Sequence, residues 1–270
     1  MGILDGRVAL VTGASRGIGE FIARRLAMDG AAVAVSARTV NPEDHQLPGT
    51  ISATAQAIND AGGKAVAIRA DLSQQADRKN LIEETQAQLG PIDILVNNAA
   101  VTFFQPVDGF PEKRFRLMFE VQVRAPFELA QLVIPGMKER GKGWICNISS
   151  KAAIHPEPGS GRRAGGGTVY GMCKAALERF TTGLAAELYE DNIAVNVLSP
   201  TQVVATPGVK FHRLIPEGQE DRAEGEEWMA EAVHVLCSGE PKQLTGRIAY
   251  SQEICKEFDR TPVQMEGAKA

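Results

Sequence analysis

Tyr170 and Lys174 lie four residues apart in TVYGMCK, downstream of the serine pair Ser149 and Ser150 in NISSK. On a helix, side chains at i and i+4 share a face, so a helix over about 168–190 sets a phenol beside an ammonium. A free phenol exchanges protons poorly at neutral pH, whereas a neighbouring cation favours its anion and moves it toward the working range. That pairing suits a group that gives a proton to an oxygen or takes one from it. Of the three tyrosines only Tyr170 has lysine at i+4. Such a pair also arises by chance, so its meaning depends on what surrounds it.

A second constellation is TGASRGIG, residues 12–19. Gly13 suits a tight turn, Gly17 a close backbone approach to a ligand, and Gly19 close packing of the following helix. The helix N-terminus beyond them offers unpaired N–H groups to a pyrophosphate. Glycines at a strand–helix junction can also be purely structural, but their place at the first βα turn favours phosphate binding. At the end of the second strand, NAD sites carry a carboxylate for the ribose 2′-OH and NADP sites an arginine. Here Ala37 is followed by Arg38, and Arg16 stands in the glycine loop. The expected cofactor is NADP, with NAD as the alternative.

Residues so far apart in sequence need a scaffold that brings them together. Short apolar runs recur at 7–12, 32–37, 64–69, 93–98, 143–149 and 193–199, separated by stretches of helical spacing. In EFIARRLAMDG, Phe21, Ile22, Leu26 and Ala27 keep one helix face apolar, and Gly30 supplies the stop. Near-continuous apolar strands alternating with helices predict an α/β, doubly wound parallel sheet with helices on both faces. Its ligands bind at the carboxyl edge of the strands, which is where Ser149 and Ser150 fall.

TGASRGIG, Asp71 with Leu72, NNAA at 97–100 and YGMCK at 170–174 together resemble the short-chain dehydrogenase/reductase family over about residues 6–200. The resemblance implies a Rossmann-type sheet of about seven strands, a nicotinamide cofactor, and hydride transfer to or from a carbonyl or alcohol. It assigns Tyr170 as general acid/base, Lys174 as the residue that tunes it and holds the ribose, and Ser150 as the group that polarises the substrate oxygen. It gives the cofactor Gly13, Ser15, Arg16, Gly17, Ile18, Gly19, Arg38, Asp71, Leu72, Asn98, Ala99 and Pro200, besides Tyr170 and Lys174. Asp71 then contacts the adenine side and Asn97 steadies the sheet, although Asp71 alone also reads as a cap or turn residue. PEDHQLPGTI further resembles the hydroxysteroid-dehydrogenase-like and citronellol-dehydrogenase-like members.

The chain departs from the family at several points. Gln122 in FEVQVRAPF stands where the family has the asparagine that holds a relay water, and Thr201 replaces the glycine after Pro200. The C-terminal LTGRIAYSQEI lacks the common DGG. Ser150 precedes Tyr170 by twenty residues, more than the family spacing, with the surplus in GSGRRAGGG. That loop reads either as a bare linker or as a cover whose Arg162 and Arg163 meet an anionic substrate. The segment 39–50 is likewise too long for an ordinary connection. Phe103 and Phe104 line an apolar substrate cleft or belong to the core.

The expected unit is a single domain over 1–270 with substrate-side loops at 155–167 and 201–224. Hydrophobic residues at 44% and charged residues at 23% fit a globular chain, and 29 basic against 33 acidic residues with no basic run argue against nucleic acid. No apolar stretch suggests a membrane span and no cysteine pattern suggests zinc or a disulfide framework. A cytoplasmic oxidoreductase acting on a small carbonyl or alcohol follows, a homodimer or homotetramer by family habit. The other class in play is a nucleotide-binding sensor or scaffold in which Gln122 has ended turnover.

Overall fold

The computed structural model describes residues 2–158, 166–211, 215, 218 and 222–265. All six apolar runs form strands: β1 (Val8–Thr12), β2 (Ala32–Ala37), β3 (Lys64–Arg69), β4 (Ile94–Asn97), β5 (Gly143–Ile148) and β6 (Ile193–Ser199). Two short strands follow, β7 (Val203–Val204) and β8 (Ala223–Glu224), paired in parallel beside the sheet. A last strand, β9 (Ile248–Tyr250), lies in LTGRIAYSQEI and completes a seven-stranded parallel sheet in the order β3-β2-β1-β4-β5-β6-β9. The chain winds one way from β1 to β3 and the other way from β4 onward. The crevice at the β1/β4 switch point is where such sheets bind ligands.

Helices cover both faces. On one lie α1 (Gly17–Met28), α2 (Ile51–Asp60), α8 (Glu226–Ser238) and α9 (Ser251–Glu257); on the other, α3 (Gln75–Leu89), α5 (Ala125–Arg140) and α6 (Thr168–Glu187). Two further helices, α4 (Glu112–Phe119) and the short α7 (Pro207–Phe211), stand near the carboxyl edge. Alternation along β1 divides the core, with Ala9 and Val11 facing α1 and α8 while Val8 and Leu10 face α3 and α5. Each fully buried aliphatic side chain contributes about 1.5–3 kcal/mol, so these two layers fix the strand register and with it the position of every strand end. Phe21, Ile22, Leu26 and Ala27 of α1 are buried as their spacing requires, and the chain turns after them at Gly30 with φ of 98°.

Between α4 and α5 the helix widens to a π turn over Glu120–Arg124, where the Ala125 N–H reaches back to Glu120 O. Pro126 is the local cause, because it has no N–H for the Gln122 carbonyl four residues before it. π turns of this kind are frequent at functional sites, and this one carries Gln122, which is 1% exposed.

Candidate active site

Tyr170 and Lys174 occupy one face of α6, which ends at Glu187, a little short of the expected limit. Lys174 is buried and its Nζ donates to Ile148 O at 2.8 Å, which ties the helix to the end of β5, two residues before Ser150. Gly171 permits the approach: a Cβ there would stand 2.7 Å from Ala152 O, in the 3-10 turn Lys151–Ala153 that Ser150 caps through Oγ and Ala152 N at 3.2 Å. The Tyr170 hydroxyl and Ser150 consequently share a hydrogen bond. Burial pushes the phenol above its usual range and the Ser150 bond opposes that shift. Lys174 lies 5.6 Å from the ring centroid and falls to about 8, first because it is desolvated, while Cys173 and Glu178 favour its charge.

The strand ends around this group are locked by amides. Asn97 Nδ2 donates to Asn147 Oδ1 at 2.8 Å, and Asn147 Nδ2 donates to Thr181 Oγ1 at 2.8 Å, joining β4, β5 and α6. Ser149 donates to Glu178 Oε1 at 2.8 Å. Gln122 donates from Nε2 to Val101 O at 2.9 Å, and its buried Oε1 has no protein partner among the described residues.

A cleft of about 1240 Å³ runs from this group to the glycine loop. Gly13, Ser15, Arg16, Gly17, Ile18 and Gly19 line one end with Arg38, Asp71 and Leu72, while Asn98, Ala99 and Pro200 line its middle. Gly13 and Gly17 have φ of 66° and 57°, and a Cβ on Gly13 would stand 2.7 Å from Ala99 Cα. The loop is thus pressed against the β4 end with its backbone turned to the cleft, a cradle that fits a pyrophosphate. Asn98 Nδ2 holds it there through Thr12 O at 2.9 Å and Gly13 O at 3.1 Å. Asp71 accepts the Ser73 N–H at 3.0 Å, so it is a turn residue as well as part of the wall.

The family model for short chain dehydrogenases matches residues 7–213. This chain belongs to the short-chain dehydrogenase/reductase family. An uncharacterized oxidoreductase of Methylorubrum extorquens is 36% identical over 93% of this chain and 92% of its own length. Human hydroxysteroid dehydrogenase-like protein 2 is 32% identical over 95% of this chain, which spans 59% of that protein. A metagenomic short-chain oxidoreductase solved in complex with NADP superposes with a TM-score of 0.74 at 29% identity, covering 92% of this chain and 97% of that one. As a short-chain dehydrogenase/reductase the chain is an NAD(P)-dependent oxidoreductase of small molecules. No described helix is long and apolar enough to cross a membrane.

In this short-chain dehydrogenase/reductase the end of the cleft beside Tyr170 is lined by apolar side chains. Phe104 is 45% exposed and meets Tyr170 edge to face at 5.8 Å between ring centroids. Phe103 lines the cleft and packs beside Met118 and Val169. Val203, Val209 and Phe211 supply the facing side. Sequence reasoning missed what anchors that side. Glu224, 4% exposed, accepts Thr201 N at 3.1 Å, Ser251 Oγ at 2.7 Å and Gln252 Nε2 at 2.8 Å. Gln252 N in turn donates to Thr201 Oγ1 at 3.1 Å. The threonine in place of glycine and the altered C-terminal segment are therefore two halves of one network. Arg162 and Arg163, with the rest of 159–165, lie outside the described residues, as do 212–214, 216–217 and 219–221.

Proposed function

We propose that the chain is an NADP-preferring enzyme of one domain that interconverts a carbonyl and a secondary alcohol on a small, largely apolar molecule. The observation that carries this reading is the convergence of Ser150, Tyr170 and Lys174 at the phenylalanine-lined end of the same cleft that the glycine loop closes. In this reading NADP lies along Gly13–Gly19, Arg38, Asp71, Leu72, Asn98, Ala99 and Pro200. When bound, its nicotinamide supplies or accepts hydride. Ser150 Oγ orients the substrate oxygen, and the Tyr170 hydroxyl gives that oxygen its proton in reduction or takes it in oxidation. Lys174, held by Ile148 O, keeps a positive charge near the phenol and favours its anion. Gln122, with Nε2 held by Val101 O, turns Oε1 to a water that returns protons toward Lys174.

Arg38 without a carboxylate at Ala37 supports NADP over NAD. The outer faces of α5 and α6 expose Phe127, Leu132 and Met172, which supports a homodimer or homotetramer. Steady-state oxidation of NADPH against a panel of aliphatic and aromatic ketones and aldehydes tests the reading. Turnover that disappears in Tyr170→Phe is the expected result. Cofactor binding with no turnover on any member of the panel would overturn it.

A further inference from the structure

The segment 39–50 folds back onto the glycine loop instead of away from it. Gly49 has φ of 96°, and a Cβ there would stand 2.4 Å from Ser15 O and 2.9 Å from Arg16 Cβ. Arg16 clamps the segment, with Nε donating to Pro48 O at 2.7 Å and Nη2 to Gly49 O at 2.8 Å and to Leu47 O and Thr39 Oγ1 at 3.3 Å. Most of that guanidinium is therefore committed to holding a wall in place. Among the residues the wall presents to the cleft, Thr39, His45, Gln46 and Leu47, the one that titrates is His45.

The His45 ring is fixed from behind. Asp44 is taken up by its own turn, accepting Val40 N at 2.8 Å and Asn41 N at 2.9 Å. His45 Nδ1 accepts the Leu47 N–H at 3.0 Å. A ring nitrogen that accepts a hydrogen bond carries no proton, so the neutral ring holds its proton on Nε2, the nitrogen directed away from the segment. Arg16 and Arg38 line the same end of the cleft, immediately past Ala37. Burial, and then the two arginines, hold the imidazole below its ordinary range, so the ring is neutral at pH 7 and still a donor. A neutral donor near two guanidinium groups suits a compact, multiply charged anion.

We propose that His45 is a ligand of the cofactor's ribose 2′-phosphate, giving it an Nε2–H hydrogen bond beside Arg38, and that the segment 39–50 is the wall that selects NADP. This rests on the NADP-preferring reading above. Isothermal titration of the full chain with adenosine 2′,5′-bisphosphate and with 5′-AMP isolates the 2′-phosphate. Wild type should bind the bisphosphate more tightly, and His45→Ala should weaken that binding about five- to tenfold while leaving 5′-AMP unchanged. His45→Asn separates contact from scaffolding, because an asparagine oxygen still accepts the N–H two residues on but cannot reach the phosphate; it should match the alanine variant. Wild-type affinity for the bisphosphate in His45→Asn would make the histidine a loop support and overturn the assignment. If wild type prefers the bisphosphate and Arg38→Ala abolishes that preference while both His45 variants keep it, the His45 proposal fails alone. Equal binding of the two nucleotides by wild type would instead overturn the NADP reading itself.

Discussion

Burial brings Lys174 down to about 8, while burial of the Tyr170 hydroxyl raises it. In carbonyl reduction the phenol must carry its proton and the lysine its charge. As pH rises, the lysine loses charge first and the phenol remains protonated. The pH profile of kcat/KM for reduction should therefore fall along a single limb near 8. Glu178 favours the lysine's charge, so Glu178→Gln should move that limb to lower pH; an unmoved limb would assign it to another group. Gln122 gives a second prediction at this scale. Gln122→Asn should keep the rate within a few-fold, whereas Gln122→Leu should slow turnover by about tenfold or more. Equal rates in all three proteins would remove Gln122 from the proton relay.

Among the elements, the wall after β6 depends on residues from three separate parts of the chain. Thr201, Glu224, Ser251 and Gln252 come together only when β7 pairs with β8 and α9 begins directly after β9. Glu224→Ala removes the acceptor of Gln252 Nε2 and one of the two acceptors of both the Thr201 amide and the Ser251 hydroxyl, at a cost of about 1–3 kcal/mol. Thermal unfolding should register that loss, and KM for the best ketone should rise with little change in NADPH affinity. A Tm equal to wild type would mean that the network merely decorates a wall held by other contacts. Before β6 the logic is similar: Gly171 lets α6 approach the turn that Ser150 caps, so Gly171→Val should separate serine from tyrosine and depress kcat more than cofactor binding.

Across the whole molecule, α1 and α8 are joined by buried charge. Arg25 Nε donates to Glu231 Oε2 at 2.6 Å, His234 Nε2 bonds Asp29, and His234 Nδ1 lies 3.8 Å from Glu231 Oε1. Burial and then Arg25 hold His234 below its ordinary range, although Asp29 and Glu231 oppose them. The unfolded chain therefore takes up a proton at His234 at a pH where the folded chain does not. That contribution to stability is complete above the ordinary histidine value of about 6.5 and is lost as pH falls below it, by at most ~1.4 kcal/mol per pH unit. Glu178 and Glu224, both raised by burial, act in the opposite sense, so the difference between wild type and His234→Gln isolates the histidine. The variant should show a flatter decline of Tm between pH 7 and 5, and an identical slope would show that His234 takes up its proton alike in the folded and unfolded chain.

The doubly wound sheet was legible in the sequence because buried parallel strands must be apolar along their length; that β1 lies beside β4 came only with the fold, since doubly wound sheets occur in more than one strand order. Tyr170, Lys174 and the glycine loop were legible because their chemistry depends on local spacing: four residues on one helix, or three glycines at one strand–helix turn. Partners chosen by packing left no local signal. Nothing near Glu224 in the sequence points to Thr201 or Ser251, and nothing in PEDHQLPG indicates that Arg16 would hold it by its carbonyls with His45 turned to the cleft. The strand β9 was equally hidden, since three residues are too few to show a period. Local periodicity determined the frame and the reacting pair. Only tertiary structure decided which distant side chains close around them, because hydrogen bonds between segments become specific once burial has fixed where the segments meet.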